Sequence, residues 1–150
     1  MTEREDSWAL LVSIRPEFAA KIFQGTKRVE LRRVRPRVEE GHGVLVYVSS
    51  PTKELQGAFE VRDVVEAPPK RLWREVGSHA GITREEFEAY FEGADTGYAI
   101  RIKRAWEFDR PQTLTSLRRR MPKFAPPQSY HYLDKAKAAV LLGKAKLANA

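Results

Sequence analysis

The chain has 150 residues, no cysteine and a formal net charge of +7, the length of one ordinary domain able to bury its own core. The absence of thiols excludes disulfide frameworks, thiolate metal sites and cysteine nucleophiles. The charge is segregated: residues 1–14 carry −2, 15–37 carry +6, 38–109 carry −5 and 110–150 carry +8. Two basic blocks therefore flank an acidic middle, a distribution suited to a polyanionic partner.

The first residues, MTEREDSW, are polar and acidic. Nowhere is there an apolar run long enough for a signal peptide or a membrane span, so a cytoplasmic setting without a membrane partner is expected. Trp8 to Ile14 is almost continuously apolar and reads as a buried first strand. Pro16 suits the first position of a helix whose inner face is Phe18, Ala19, Ile22 and Phe23 and which Gly25 ends in a left-handed turn. Residues 27–34 alternate, with Val29 and Leu31 on one side and Arg28, Glu30 and Arg32 on the other, the pattern of a strand with a polar face.

Val44 to Ser49 reads as a central strand, closed by Ser49, Ser50 and Pro51. Residues 55–65 form a longer strand interrupted by Gly57, where a bulge lets a sheet curl. Two short helices follow, over 70–76 and 85–91. The second is announced by Thr83 and Glu86 in a capping box, with Phe87, Tyr90 and Phe91 as its buried stripe. A strand is expected over 97–108, a short helix over 115–120, a Pro-rich loop, a last strand over 128–133, and a helix capped by Asp134. No internal repeat is visible.

Five or six short strands with helices inserted between them predict an α+β fold, a small, partly open mixed β-barrel with peripheral helices. The strands do not alternate regularly with full-length helices, and no Gly-rich phosphate loop follows the first one, so a doubly wound parallel sheet does not fit. One domain over 1–133 is expected, with an Ala/Lys-rich helix or tail over 134–150.

Chemistry concentrates in Ser13-Ile14-Arg15-Pro16, the helix after it, and Gly25-Thr26-Lys27-Arg28-Val29-Glu30-Leu31-Arg32. A strand ending in S-I-R-P, an amphipathic helix and then G-x-K-x-x-E-x-R resembles the ASCH domains, a branch of the PUA-like β-barrel superfamily. Tyr47 to Pro51 and Gln128 to Tyr130 resemble secondary motifs of one subgroup. The resemblance implies a PUA-like barrel with a cleft lined by Lys27, Glu30 and Arg32, and a role in RNA binding or processing. The trio makes sense apart from the family. Lys and Arg hold a phosphate, or Arg reads a base edge, whereas a carboxylate beside them serves selectivity or catalysis by accepting from a base amino group or a 2′-hydroxyl. The plainer alternative for Glu30 is a surface ion-pair ladder.

The leading functional reading is a module that engages RNA, or a modified nucleotide within it, through Lys27, Glu30 and Arg32; DNA is the other polyanion that fits. Arg15, Arg28, Arg33, Arg35 and Arg118, Arg119 and Arg120 are candidate phosphate contacts. Ser49, Ser50 and Tyr130 complete the candidate nucleic-acid surface, with Tyr130 and Tyr132 as stacking platforms. For Arg118 to Arg120, offsetting a helix dipole is an equally good role. The alternative is an enzyme using the same cleft, with Lys27 and Glu30 reactive: a ribonuclease, in which Tyr47 and Ser129 also act, or an acylcytidine amidohydrolase. Against the amidohydrolase pattern that the resemblance implies, Glu30 stands where a threonine is expected, and the region of the distant glutamate reads Ser78-His79-Ala80-Gly81. A third possibility is a regulatory interaction domain. His42, His79 and His131 lack ligand spacing, so no metal site is expected, and no cofactor motif is present.

Overall fold

The computed structural model describes residues 9–128 and 130–142. Two apolar strands lie at its centre, β1 (Ala9–Ile14) and β3 (Gly43–Val48), paired in parallel from Ala9 opposite Gly43 to Ile14 opposite Val48. They read as near-continuous apolar runs because both of their faces are covered. Val44, Val46 and Val48 pack with α1 (Pro16–Gln24), while Leu45 and Tyr47 face the opposite cluster under α4 (Leu114–Arg120) and α5 (Lys135–Leu142). As expected, α1 starts on Pro16 and ends on Gly25, whose φ of 88° is the left-handed conformation a glycine accepts freely.

The sheet has six strands in the order β2-β5-β4-β3-β1-β6, with β2 (Val29–Arg32) and β6 (Tyr130–Leu133) as its two edges. Between the centre and β2 runs an antiparallel ribbon of β4 (Glu54–Ala67) and β5 (Gly97–Thr113). Its register shifts at Leu55/Gly57, Glu60/Val61 and Val61/Asp63, and each irregularity bends the ribbon and increases its twist. The result is a mixed half-barrel of α+β class. A third apolar cluster fills the far end, where α2 (Pro69–Val76) and α3 (Arg84–Tyr90) cover Val29, Leu31 and Ala99. No helix among the described residues is long and apolar enough to cross a membrane.

Three expectations need correction. The strand predicted over 97–108 continues to Thr113, because Leu55 and Glu54 of β4 pair with Gln112 and Thr113 beyond the bulge at Gly57. The strand predicted over 27–34 is only Val29–Arg32. Arg28 lies outside it, exposed, donating its N–H to His79 O and accepting from Ile102 N–H. Tyr90 is 40 % exposed rather than part of the buried stripe of α3, with its hydroxyl donating to Leu31 O at 3.1 Å.

Candidate functional site

β2 and β6 face each other across the open side of the half-barrel without a ladder between them. Side chains bridge the gap instead. The Arg32 guanidinium lies 5.9 Å from the Tyr130 ring, Tyr130 meets Tyr132 edge-on at 5.4 Å, and Arg37 covers Tyr132 at 4.8 Å while donating its backbone N–H to the Tyr132 hydroxyl at 2.6 Å. Such cation–π contacts hold two edges together where backbone pairing is missing. Burial, together with the hydrogen bond and charge of Tyr132, raises the Tyr130 phenol above its ordinary range, against the pull of Arg32 and Arg37.

Lys27, Glu30 and Arg32 sit at this seam and are buried, at 4 %, 8 % and 8 % exposure. Glu30 and Arg32 form an ion pair of 2.8 Å, so Glu30 does pair with a neighbouring Arg as the plainer alternative has it, but the pair is buried and not part of a surface ladder. The alternation along β2 does put Glu30 and Arg32 on one face, but that face is covered. The Lys27 amine donates to Ala80 O at 2.6 Å and lies 5.4 Å from the Phe18 ring. Burial lowers its pKa, opposed by the charge of Glu30. Lys21 reaches Gly81 O at 2.7 Å, so two lysines hold the 80–81 loop from below. A Cβ on Gly81, whose φ is 66°, would stand 2.8 Å from Cβ of Lys27; the loop closes over Lys27 only because glycine is there.

A second constellation lies on the opposite face of β3. Tyr47 is 2 % exposed, packed among Leu117 and Phe124. Its phenol is raised by burial and lowered by the charge of Arg118. Arg118 donates Nε–H to Phe124 O at 3.1 Å and lines a pocket of about 420 Å³ with Thr52, Lys53, Thr113 and Thr115. Lys53 holds a φ of 54°, a conformation sparsely used by residues with a side chain. Its carbonyl accepts from Leu114 N–H, which ties the turn after β3 to the start of α4. Arg118 bears on Tyr47, whereas Glu30, Lys21, Arg32 and Glu86 bear on Lys27, so among the described residues Tyr47 lies apart from Lys27 and Glu30.

The remaining candidates are dispersed. Arg15 is exposed at the N-cap of α1, and Ser49 and the exposed Ser50 begin the turn after β3, where Ser49 N–H donates to Ile14 O. Arg33 donates to the carbonyls of Tyr90 and Glu92 at the end of α3, and Arg35 pairs with Glu66. Arg120 donates to Val140 O and Leu141 O at the end of α5, and Arg119 is exposed. Ser129 lies outside the described residues. Among those residues no group of three His, Asp or Glu side chains is placed to hold a metal. Lys53 and the threonines of the pocket were missed in the sequence; the signal was a lone lysine in a Ser-Ser-Pro-Thr-Lys turn, too common a pattern to single out.

The model of the ASCH domain matches residues 12–108. A protein of Zymomonas mobilis named an ASCH domain-containing ribonuclease is 30 % identical over 142 residues, 95 % of each chain. The crystal structure of ASCH from Zymomonas mobilis superposes with a TM-score of 0.87 at 28 % identity, covering 96 % of this chain and 100 % of that one. Two single-residue variants of the Zymomonas protein, tyrosine to phenylalanine and serine to alanine, superpose with TM-scores of 0.85 and 0.87, covering 92 % and 95 % of this chain and 99 % of each variant at 28 % and 27 % identity.

Proposed function

This chain belongs to the ASCH domain family, and from that premise we propose that it binds RNA and cleaves it, with the pocket beside Tyr47 as the place of cleavage. The observation that carries this reading is the pocket itself: two cations, Lys53 and Arg118, and three threonines border it, and the charge of one of those cations, Arg118, bears on the buried Tyr47. The name of the Zymomonas relative supports the reaction.

The chemistry assigns roles. Attack of a 2′-hydroxyl on the neighbouring phosphorus forms one P–O bond and breaks the bond to the 5′-oxygen, while negative charge grows on the non-bridging oxygens. Arg118, already oriented by Phe124 O, and Lys53 neutralise that charge. Tyr47, its phenol raised by burial, stays protonated near neutral pH and so donates to the phosphate or the leaving oxygen rather than acting as base. The 2′-hydroxyl proton passes to solvent. Ser129 remains a proposed contact.

With labelled single-stranded RNA, tested with and without divalent metal, the protein should yield products. Tyr47→Phe should lower kcat by about 10²–10³, and Lys53→Ala with Arg118→Ala should lower kcat/KM further. Absence of product under every metal condition would rule the reading out.

A second reading is favoured by the buried Lys27, whose lowered pKa and place against Glu30 and Arg32 suit a reactive amine at a nucleotide cleft. A nucleotide reaches it only if the 80–81 loop lifts. Turnover of acylated cytidine that is lost in Lys27→Ala and kept in Tyr47→Phe is the result this reading requires.

A further inference from the structure

We infer that the outer face of α4 and α5, rather than the basic segment 15–37, is the track on which an RNA backbone lies as it leaves the Tyr47 pocket. The substrate is then a strand of several nucleotides and not a mononucleotide. This rests on the ribonuclease reading for what occupies the pocket.

The two basic blocks look alike in sequence and differ in structure. In the first block Lys21 and Lys27 hold carbonyls of the 80–81 loop, Arg32 is paired with Glu30, Arg33 holds the end of α3, Arg35 is paired with Glu66 and Arg37 covers Tyr132. Only Arg15 and Arg28 of its eight cations keep exposed heads with no such engagement. In the second block Arg118 and Arg120 are tied to carbonyls, which fixes α4 against the following turn and against α5. Arg110, Arg119, Lys123, Lys135 and Lys137 are exposed, and none of the described carboxylates pairs with them. Asp134, the one acidic residue after Asp109, accepts from Lys137 N–H as the cap of α5.

The face is continuous with the pocket. Thr115 lines the pocket, and Arg119 lies one turn further on the same side of α4. Cations left without carboxylate partners release counterions when a phosphate chain displaces them, whereas paired ones must first break an internal bond. A bilayer surface fits less well. Ala138, Leu141 and Leu142 of α5 point into the core and leave only Val140 as a large exposed apolar side chain there, too little to insert.

The test is binding of a 2′-O-methyl 12-mer, which offers no attacking hydroxyl, across a series of salt concentrations. The triple variant Arg119→Glu, Lys123→Glu, Lys137→Glu should bind about tenfold or more weakly. Its salt dependence should be shallower by about two in log–log slope, three phosphate contacts at about 0.7 each. The Gln versions of the three should show a smaller change in the same direction, and Arg28→Glu with Arg35→Glu should leave the slope near that of the parent protein. Unchanged slope in the triple variant, a loss confined to the Arg28/Arg35 variant, or binding to phosphatidylserine vesicles but not to the 12-mer each overturns the track. Cleavage of ordinary RNA is measured separately. Cleavage without a track effect removes only this inference, and a track effect without cleavage removes only the ribonuclease reading.

Discussion

Lys27 is the most constrained polar side chain of the seam, with its amine against Ala80 O and its pKa lowered mainly by burial. The folded state therefore penalises the charged amine. Below the lowered folded pKa both states are charged and the penalty acts in full; above the unfolded value, near 10.5, both are neutral and it vanishes. Between those limits the unfolded chain binds more protons, so stability rises with pH. Urea unfolding of the parent and of Lys27→Met, repeated at increasing alkaline pH, should show the parent gaining on the variant as pH rises; parallel curves would mean the amine is solvated. Glu30 and Arg32 act differently because they are buried as a pair. Glu30→Gln leaves the guanidinium without its carboxylate and should cost about 3–5 kcal/mol, whereas Glu30→Gln with Arg32→Met should cost clearly less. Equal losses in the two proteins would show that the pair itself, not the unpaired charge, sets the penalty.

At the scale of elements, the curl of the β4–β5 ribbon depends on Gly57. A Cβ there would stand 2.3 Å from Trp106 O and 2.7 Å from the Phe23 ring. The ring can turn aside, but the carbonyl belongs to the partner strand, so the ribbon must shift. Gly57→Ala should lower stability by about 1–3 kcal/mol or more, read from the urea midpoint, and should loosen α1, which packs through Phe23. The bend at Gly57 was legible because a lone glycine in a strand pattern has few other uses. Likewise the Thr83 capping box, the Gly25 stop and the Asp134 cap are short-range chemistry and occur as read. The candidate cleft was legible only in part. Alternation along β2 placed Glu30 and Arg32 together, yet it could not show that this face is closed by β6 and by the 80–81 loop, which lie about 100 and 50 residues away. Local pattern carries no information about such partners. The long reach of β5 escaped notice for the same reason, since Pro111 reads as a break until β4 resumes pairing beyond it.

At the scale of the molecule, charge and core are distributed together. The acidic middle, residues 38–109, runs through β3, β4, α2, α3 and most of β5, while the second basic block is carried on α4 and α5, whose inner sides complete the core around Tyr47. The segment 134–150 reads in sequence as an Ala/Lys-rich helix or tail; in its described part, α5, Ala138, Leu141 and Leu142 are no more than 3 % exposed and pack against Leu11, Leu45 and Leu133. Arg120 and Gln112 hold the last carbonyls of α5 from α4 and β5. A chain ending at Leu133 loses two buried leucines worth about 1.5–3 kcal/mol each and uncovers their partners. The sum, about 3–6 kcal/mol, is comparable with the whole stability of many domains. The shortened protein should therefore unfold at much lower urea concentration and bind a dye that reports exposed apolar surface. If it kept the parent midpoint, α5 would be a detachable carrier of lysines, and the pocket beside Tyr47 would not need it for support.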